Sequence, residues 1–132
     1  MAQENVEIVK RSIDAVNRRD LDAYAELITS DYELLPAMTG FTGVSFRGRE
    51  GMERYFQELG DTWEEFHVVG EEFRDLGERM LVLTRLEGRG KGSGVPVAAV
   101  HAVIFDFRDS KISRIQSFLD HAEASRAAGL SE

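Results

Sequence analysis

The 132-residue chain contains no cysteine. Thiol nucleophiles, disulfides and Cys-ligated zinc or iron–sulfur sites are excluded with it. No apolar run approaches the ~20 residues of a membrane span. The first residues, MAQENVEIVKRS, carry no apolar leader segment, so a cytoplasmic address is expected and no membrane partner. Net positive charge is lacking too. Lys and Arg number 16 against 24 Asp and Glu, a formal charge of −8, whereas a nucleic-acid footprint needs a basic face to neutralise phosphates. Only three histidines are present, at His67, His101 and His121. They form no H-x-H, H-x-x-x-H or His-plus-carboxylate cluster, so neither a metal nor any other cofactor is expected.

What is present describes an ordinary soluble domain. Hydrophobic residues make up 42% and charged residues 30%, and the length suits one domain, residues 1–132, able to bury a core. Residues 3–18 read as a helix, with Val6, Val9, Ile13 and Val16 on one stripe. Asp20 reads as the N-cap of a second helix with Leu21, Tyr24, Leu27 and Ile28 as its apolar face. A short strand is expected over 31–36 and a Gly/Thr-rich loop over 37–46. A third helix then starts at Gly48 or Arg49, buries Met52, Tyr55, Phe56 and Leu59, and stops at Gly60. Four strands follow, at 63–76, 79–89, 95–107 and 111–119, and a short helix at 121–128. Helices followed by long antiparallel strands predict an α+β fold with the helices on one sheet face. The strand 95–107 is apolar on both faces, so both faces should be covered. The simplest second cover is another copy of the chain, which predicts a homodimer through the sheet.

The stretch EGRGKGSGVP (Glu87 to Pro96) has the look of a phosphate cradle. Its only Gly-Lys pair is followed by Gly92 rather than Ser or Thr, position 93 breaks G-x-G-x-x-G, and a strand follows rather than a helix. Without a helix N-terminus the convergent N–H groups and the dipole are missing. A hairpin turn is the expected outcome.

The order of elements now carries a resemblance. VNRRDLDAYAELITSDYELLP resembles the first two helices and first strand of SnoaL-like proteins, within the NTF2-like superfamily that also holds ketosteroid isomerases. FRGREGMERYF is similar to that family's third helix, and FDFRDSKISRIQSFLDHAEA to its last hairpin, usually Asp-Gly-Lys where this chain has Asp-Ser-Lys. The resemblance implies an NTF2-like cone, a curved antiparallel sheet wrapped around N-terminal helices with a pocket at its open end. It also implies a range of activities: isomerases, polyketide cyclases, epoxide hydrolases, dehydratases and non-catalytic binding or assembly proteins. The acids and tyrosine of ketosteroid isomerases would fall at Ser12, Pro36 and Ala102 or Val103, and the cyclase acid at Ser117. None of these residues can abstract a proton.

His101 is the candidate catalytic residue, an imidazole in an otherwise apolar row. The competing reading is a core histidine satisfied by a hydroxyl such as Thr84. Depending on the Asp109-Ser110 turn, Ser117 or Phe118 should lie opposite it. Tyr24, Met52, Phe56 and Trp63, with Thr84, Val103 and Ser117, are expected to line a pocket for a small apolar molecule. Tyr32, Glu33 and Tyr55 are expected at its rim. Arg85 and Glu87 are expected as ion pairs of a dimer interface.

Overall fold

The computed structural model describes residues 2–35, 45–118, 121–127 and 129. Helix α1 (Ala2–Arg18) carries the expected stripe: Val9 and Ala15 are fully buried while Glu7, Lys10, Arg11 and Asp14 face water,. Arg19 ends it. Its φ of +56° leaves the right-handed region, and the amides of Arg19 and Asp20 fold back onto the carbonyls of Val16 and Ala15 at 3.1 and 2.9 Å,. Asp20 is the N-cap of α2 (Leu21–Ala25), its carboxylate accepting from the Ala23 amide at 3.0 Å,. This helix is shorter than its apolar pattern suggests. Leu27 and Ile28 leave it because Ile28 opens strand β1 (Ile28–Leu35) and pairs with Ile112.

Residues 36–44, with most of the expected loop, lie outside the described residues. The end of that loop is a strand instead: β2 (Phe46–Arg47) pairs with β1, Leu34 opposite Phe46. Helix α3 (Gly48–Thr62) passes through Gly60, the expected stop. Strands β3 (Trp63–Asp75), β4 (Arg79–Gly90), β5 (Pro96–Arg108) and β6 (Lys111–Phe118) follow, then helix α4 (His121–Ala127).

The strands form one curved, unclosed sheet in the order β2-β1-β6-β5-β4-β3, and the fold is an α+β cone. The sheet is mixed rather than purely antiparallel, because β1 runs parallel to β6. Such a pairing joins distant parts of the chain through a long crossover, here most of the protein. Bulges interrupt β3 at Trp63/Glu65 and Gly70/Glu72 and the β5–β6 ladder at Asp106/Phe107. Each bends its strand and increases the twist.

The alternation along β4 and β5 sorts the core. Met80, Val82, Val103 and Phe105 join Val9, Tyr24, Tyr32 and Met52 on the inner face. Leu81, Ala102 and Ile104 join Phe118 and Ala124 of α4 on the outer face. The helices are therefore not confined to one side. The apolar outer face of β5 that suggested a second copy is covered, over Ala102 and Ile104, by α4 of the same chain. Each fully buried apolar side chain contributes about 1.5–3 kcal/mol from area removed from water. The surface ion pairs add little. Asn17 joins α1 to the sheet as a strand would: its side chain donates to the Val68 carbonyl at 2.9 Å and accepts from the Val68 amide at 2.8 Å.

Two glycines of α3 give a test of this packing with opposite signs. A Cβ on Gly51 would fall 2.6 Å from the Phe46 carbonyl carbon, whereas a Cβ on Gly60 meets nothing within 4 Å. Gly51→Ala is expected to destabilise the protein by ~1–3 kcal/mol through overpacking. Gly60→Ala is expected to stabilise it by ~0.5–1 kcal/mol through helix propensity. Urea denaturation midpoints check both.

Candidate functional site

Between the inner sheet face and the helices lies a cavity of about 450 Å3. Tyr24, Met52, Trp63, Thr84, His101, Val103 and Ser117 all line it, together with Ser12, Leu34, Phe105 and Ile115. Phe56 is outside the lining and supports Tyr24 edge-on, ring centroids 5.8 Å apart. Glu58, Asp61 and Thr62 of α3 are exposed and mark the outer end of the cavity, beside half-buried Tyr55, Trp63 and Phe66.

His101 is 8% exposed and sits directly opposite Thr84 in the β4–β5 ladder. The Thr84 hydroxyl lies 3.0 Å from the His101 carbonyl oxygen and 3.1 Å from Nδ1. A hydroxyl has one proton, and a carbonyl can only accept. The assignment that satisfies both contacts has Thr84 donating to the carbonyl and Nδ1–H donating to Thr84. The neutral ring then carries its lone pair on Nε2. The imidazole is hydrogen-bonded to Thr84, and it stands on the cavity wall.

Ser117 is opposite Val103 rather than His101, and Phe118 is opposite Ala102. The turn is the two-residue kind, with Asp109 and Ser110 at φ +54° and +62°. The ladder then gains one residue on β6 at Ser113, whose hydroxyl donates to the Asp106 carbonyl at 3.2 Å. Turn length alone could not reveal that extra residue.

Tyr32 is fully buried rather than at a rim, its hydroxyl 2.7 Å from that of Tyr24. The alternation of Tyr32 with Leu34 in β1, both buried, was the available signal. Burial pushes all three tyrosines up. Tyr24 and Tyr32 rise well beyond the ordinary phenol value. Tyr55 reaches about 12, with Glu58 adding to the effect of burial and Arg19 opposing it. Arg85 pairs within its own chain, with Glu71 at 2.7 Å and Glu87 at 3.1 Å. Glu33 is half-buried beside Arg47 and Arg114. Among the described residues no three His, Cys, Asp or Glu gather into a metal site. No described helix is long and apolar enough to cross a membrane.

The glycine-rich stretch is the β4–β5 hairpin. Gly92 and Gly94 take positive φ, as its turn requires. Lys91 is directed at α3, its amide donating to the Thr62 carbonyl at 3.1 Å and its Nζ to the Gly60 carbonyl at 3.3 Å. These are the carbonyls that the end of a helix leaves unpaired, and a cation there is favourable.

Two tests follow from this geometry. Thr84→Val leaves Nδ1 and the His101 carbonyl without the hydroxyl and should cost about 1–3 kcal/mol in a urea melt, while Thr84→Ser should recover most of it. Alkaline stability provides the other. The chain has three tyrosines, all raised when folded. The unfolded state therefore loses phenolic protons near pH ~10 while the folded state keeps them. The tyrosines' contribution to stability is expected to be constant below that pH and to fall as pH rises above it. Phenolate absorbance should stay near zero in the native protein at pH ~10 and appear with the loss of circular dichroism.

Comparison with known proteins agrees with this architecture. A hypothetical protein with a ketosteroid isomerase-like fold from Catenulispora acidiphila, solved in complex with trimethylamine, superposes with a TM-score of 0.76 at 21% identity, over 95% of this chain and 94% of that one. A SnoaL-like polyketide cyclase candidate from Jannaschia sp. CCS1 gives 0.77 at 21% identity, over 99% and 95%. TerC, co-crystallised with polyporic acid, gives 0.78 at 19% identity, over 96% and 98%. These likenesses establish the fold. No curated protein matches the chain. The SnoaL-like domain matches residues 9–115, from the first helix to the last strand, and the chain belongs to that family.

Proposed function

We propose that the protein binds a small, mostly apolar metabolite in its cavity and performs cofactor-free acid–base chemistry on it, of the isomerase, cyclase or dehydratase kind, with His101 as the proton carrier. The observation that carries this reading is a buried imidazole on the wall of a cavity of about 450 Å3, held in one orientation by Thr84. The volume lies within the ~300–1,000 Å3 usual for small-molecule sites, and a mostly apolar lining with a few polar groups is the usual composition. An imidazole takes and returns a proton near neutral pH without a metal. Polyporic acid in TerC is a ligand of the kind a structurally similar cone holds.

A second reading, a non-catalytic binding module, is favoured by one specific observation. By the family resemblance the catalytic groups of ketosteroid isomerases and cyclases would fall at Ser12, Pro36, Ala102 or Val103, and Ser117, and none is acidic. A homodimer remains part of the proposal. Its surface would be the outer sheet face beyond α4, around Ala98 and the exposed side of Arg85 and Glu87. Light scattering at tens of micromolar should give twice the mass of 14.8 kDa, and a monomer would contradict it.

The chemistry is tested without knowing the natural substrate. In D2O, wild-type protein should accelerate exchange of the α-protons of 1-indanone, followed by proton NMR. His101→Gln should lower the acceleration by about 10²-fold or more. Binding of indanone without exchange would support the module instead. Exchange undiminished in His101→Gln would remove His101 from the chemistry.

A further inference from the structure

The Tyr24–Tyr32 pair holds one more proton than the bond between its hydroxyls uses,. Tyr24 and Tyr32 are 2% and 0% exposed, and their hydroxyl oxygens are 2.7 Å apart. Two phenols carry two protons, and one bond between them uses one. Among the described residues neither hydroxyl has another hydrogen-bond partner. A buried donor left without an acceptor costs ~1–3 kcal/mol, so the direction of this bond decides where the second proton points. The two tyrosines differ in position. Tyr24 lines the cavity and Tyr32 does not. If Tyr24 donated to Tyr32, the surplus proton would be sealed in the core. If Tyr32 donates to Tyr24, it is presented to the cavity. The second arrangement is the one that allows every donor to be satisfied.

We infer that Tyr24, oriented by Tyr32, is the hydrogen-bond donor for an acceptor oxygen of the bound molecule, which places that molecule among oxygen-bearing compounds such as ketones rather than plain hydrocarbons. Accepting a bond from Tyr32 polarises the Tyr24 O–H and strengthens what it donates. The rings are fixed by packing, Tyr24 against Tyr32 at 5.9 Å and 73° and against Phe56 at 5.8 Å and 81°. Other polar groups of the lining complement this one. The Ser12 hydroxyl donates to the Val9 carbonyl at 2.7 Å, and Thr84 donates to the His101 carbonyl. Their protons are committed to the backbone, whereas the Tyr24 proton, in this arrangement, is free for a ligand. Burial keeps both phenols neutral, hence donors, well above neutral pH.

The inference rests on the proposed small-molecule reading, and one experiment separates their failures. Indane and 1-indanone share a skeleton and differ by the acceptor oxygen. Calorimetric affinities for both are measured with wild type, Tyr24→Phe and Tyr24→Phe/Tyr32→Phe. The double variant keeps both rings and strands no hydroxyl, so it serves if the single variant folds poorly. The ratio of indanone to indane affinity should fall about tenfold in either variant, the loss of one hydrogen bond. Indane affinity should change less than twofold. The carbonyl stretch of bound indanone, red-shifted in wild type, should return towards its value in apolar solvent. An unchanged ratio and an unshifted stretch would overturn the role of Tyr24 while leaving the cavity reading intact. Failure of wild type to bind either compound would overturn both.

Discussion

A one-residue slip between β4 and β5 would turn the inward row of one of these strands outward. Their ladder is the longest uninterrupted one, from Arg79 opposite Asp106 to Arg89 opposite Pro96, and side chains along it alternate with period two. In the native register Met80, Val82, Thr84 and Leu86 look inward with His101, Val103 and Phe105. Leu81 looks outward, where α4 waits for it. Slipped by one, either the imidazole would leave the cavity or Leu81 would lose α4. The contact of the Thr84 hydroxyl with His101 is thus a product of the register.

The contrast between what could and could not be read from the residues has a physical pattern. Local signals held: the Asp20 cap, the α1 stripe, the tight turn at Asp109-Ser110 and the hairpin at Glu87 to Pro96. Each depends on a few neighbouring residues. The errors involve partners far away in the chain. Ile28 looks helical beside Tyr24 and Leu27, and only β6 draws it into a strand. The extra residue at Ser113, which moves Phe118 from His101 to Ala102, is a choice of the ladder that turn chemistry does not determine. α4 covers part of the outer face of β5, over Ala102 and Ile104, which the strand alone does not reveal. Gly60 would end an isolated helix, but Lys91, 31 positions on, holds its carbonyl.

The cavity shows the same division. Its apolar walls follow from alternation in the strands and could be listed in advance, with Phe56 one layer too far out. Its polar character could not, because that depends on where protons point. Ser12 looks like a donor in sequence and is spent on Val9. Tyr32 looks like a rim residue and is the hidden neighbour that gives Tyr24 its direction. In a site so poor in charge, the few hydrogen-bond vectors carry most of the chemical selectivity.

The chain holds a single tryptophan, and Trp63 lies at the outer end of the cavity, at the junction of α3 and β3. Indole fluorescence of the whole protein is therefore the signal of one place. Its neighbours there are Phe66, 5.7 Å away between ring centroids, and the backbone of Gly88, where any side chain would press on the indole ring. Emission colour and quenching report on traffic through that end alone, so the molecule carries its own optical gauge of whether the cavity is wet, filled or open.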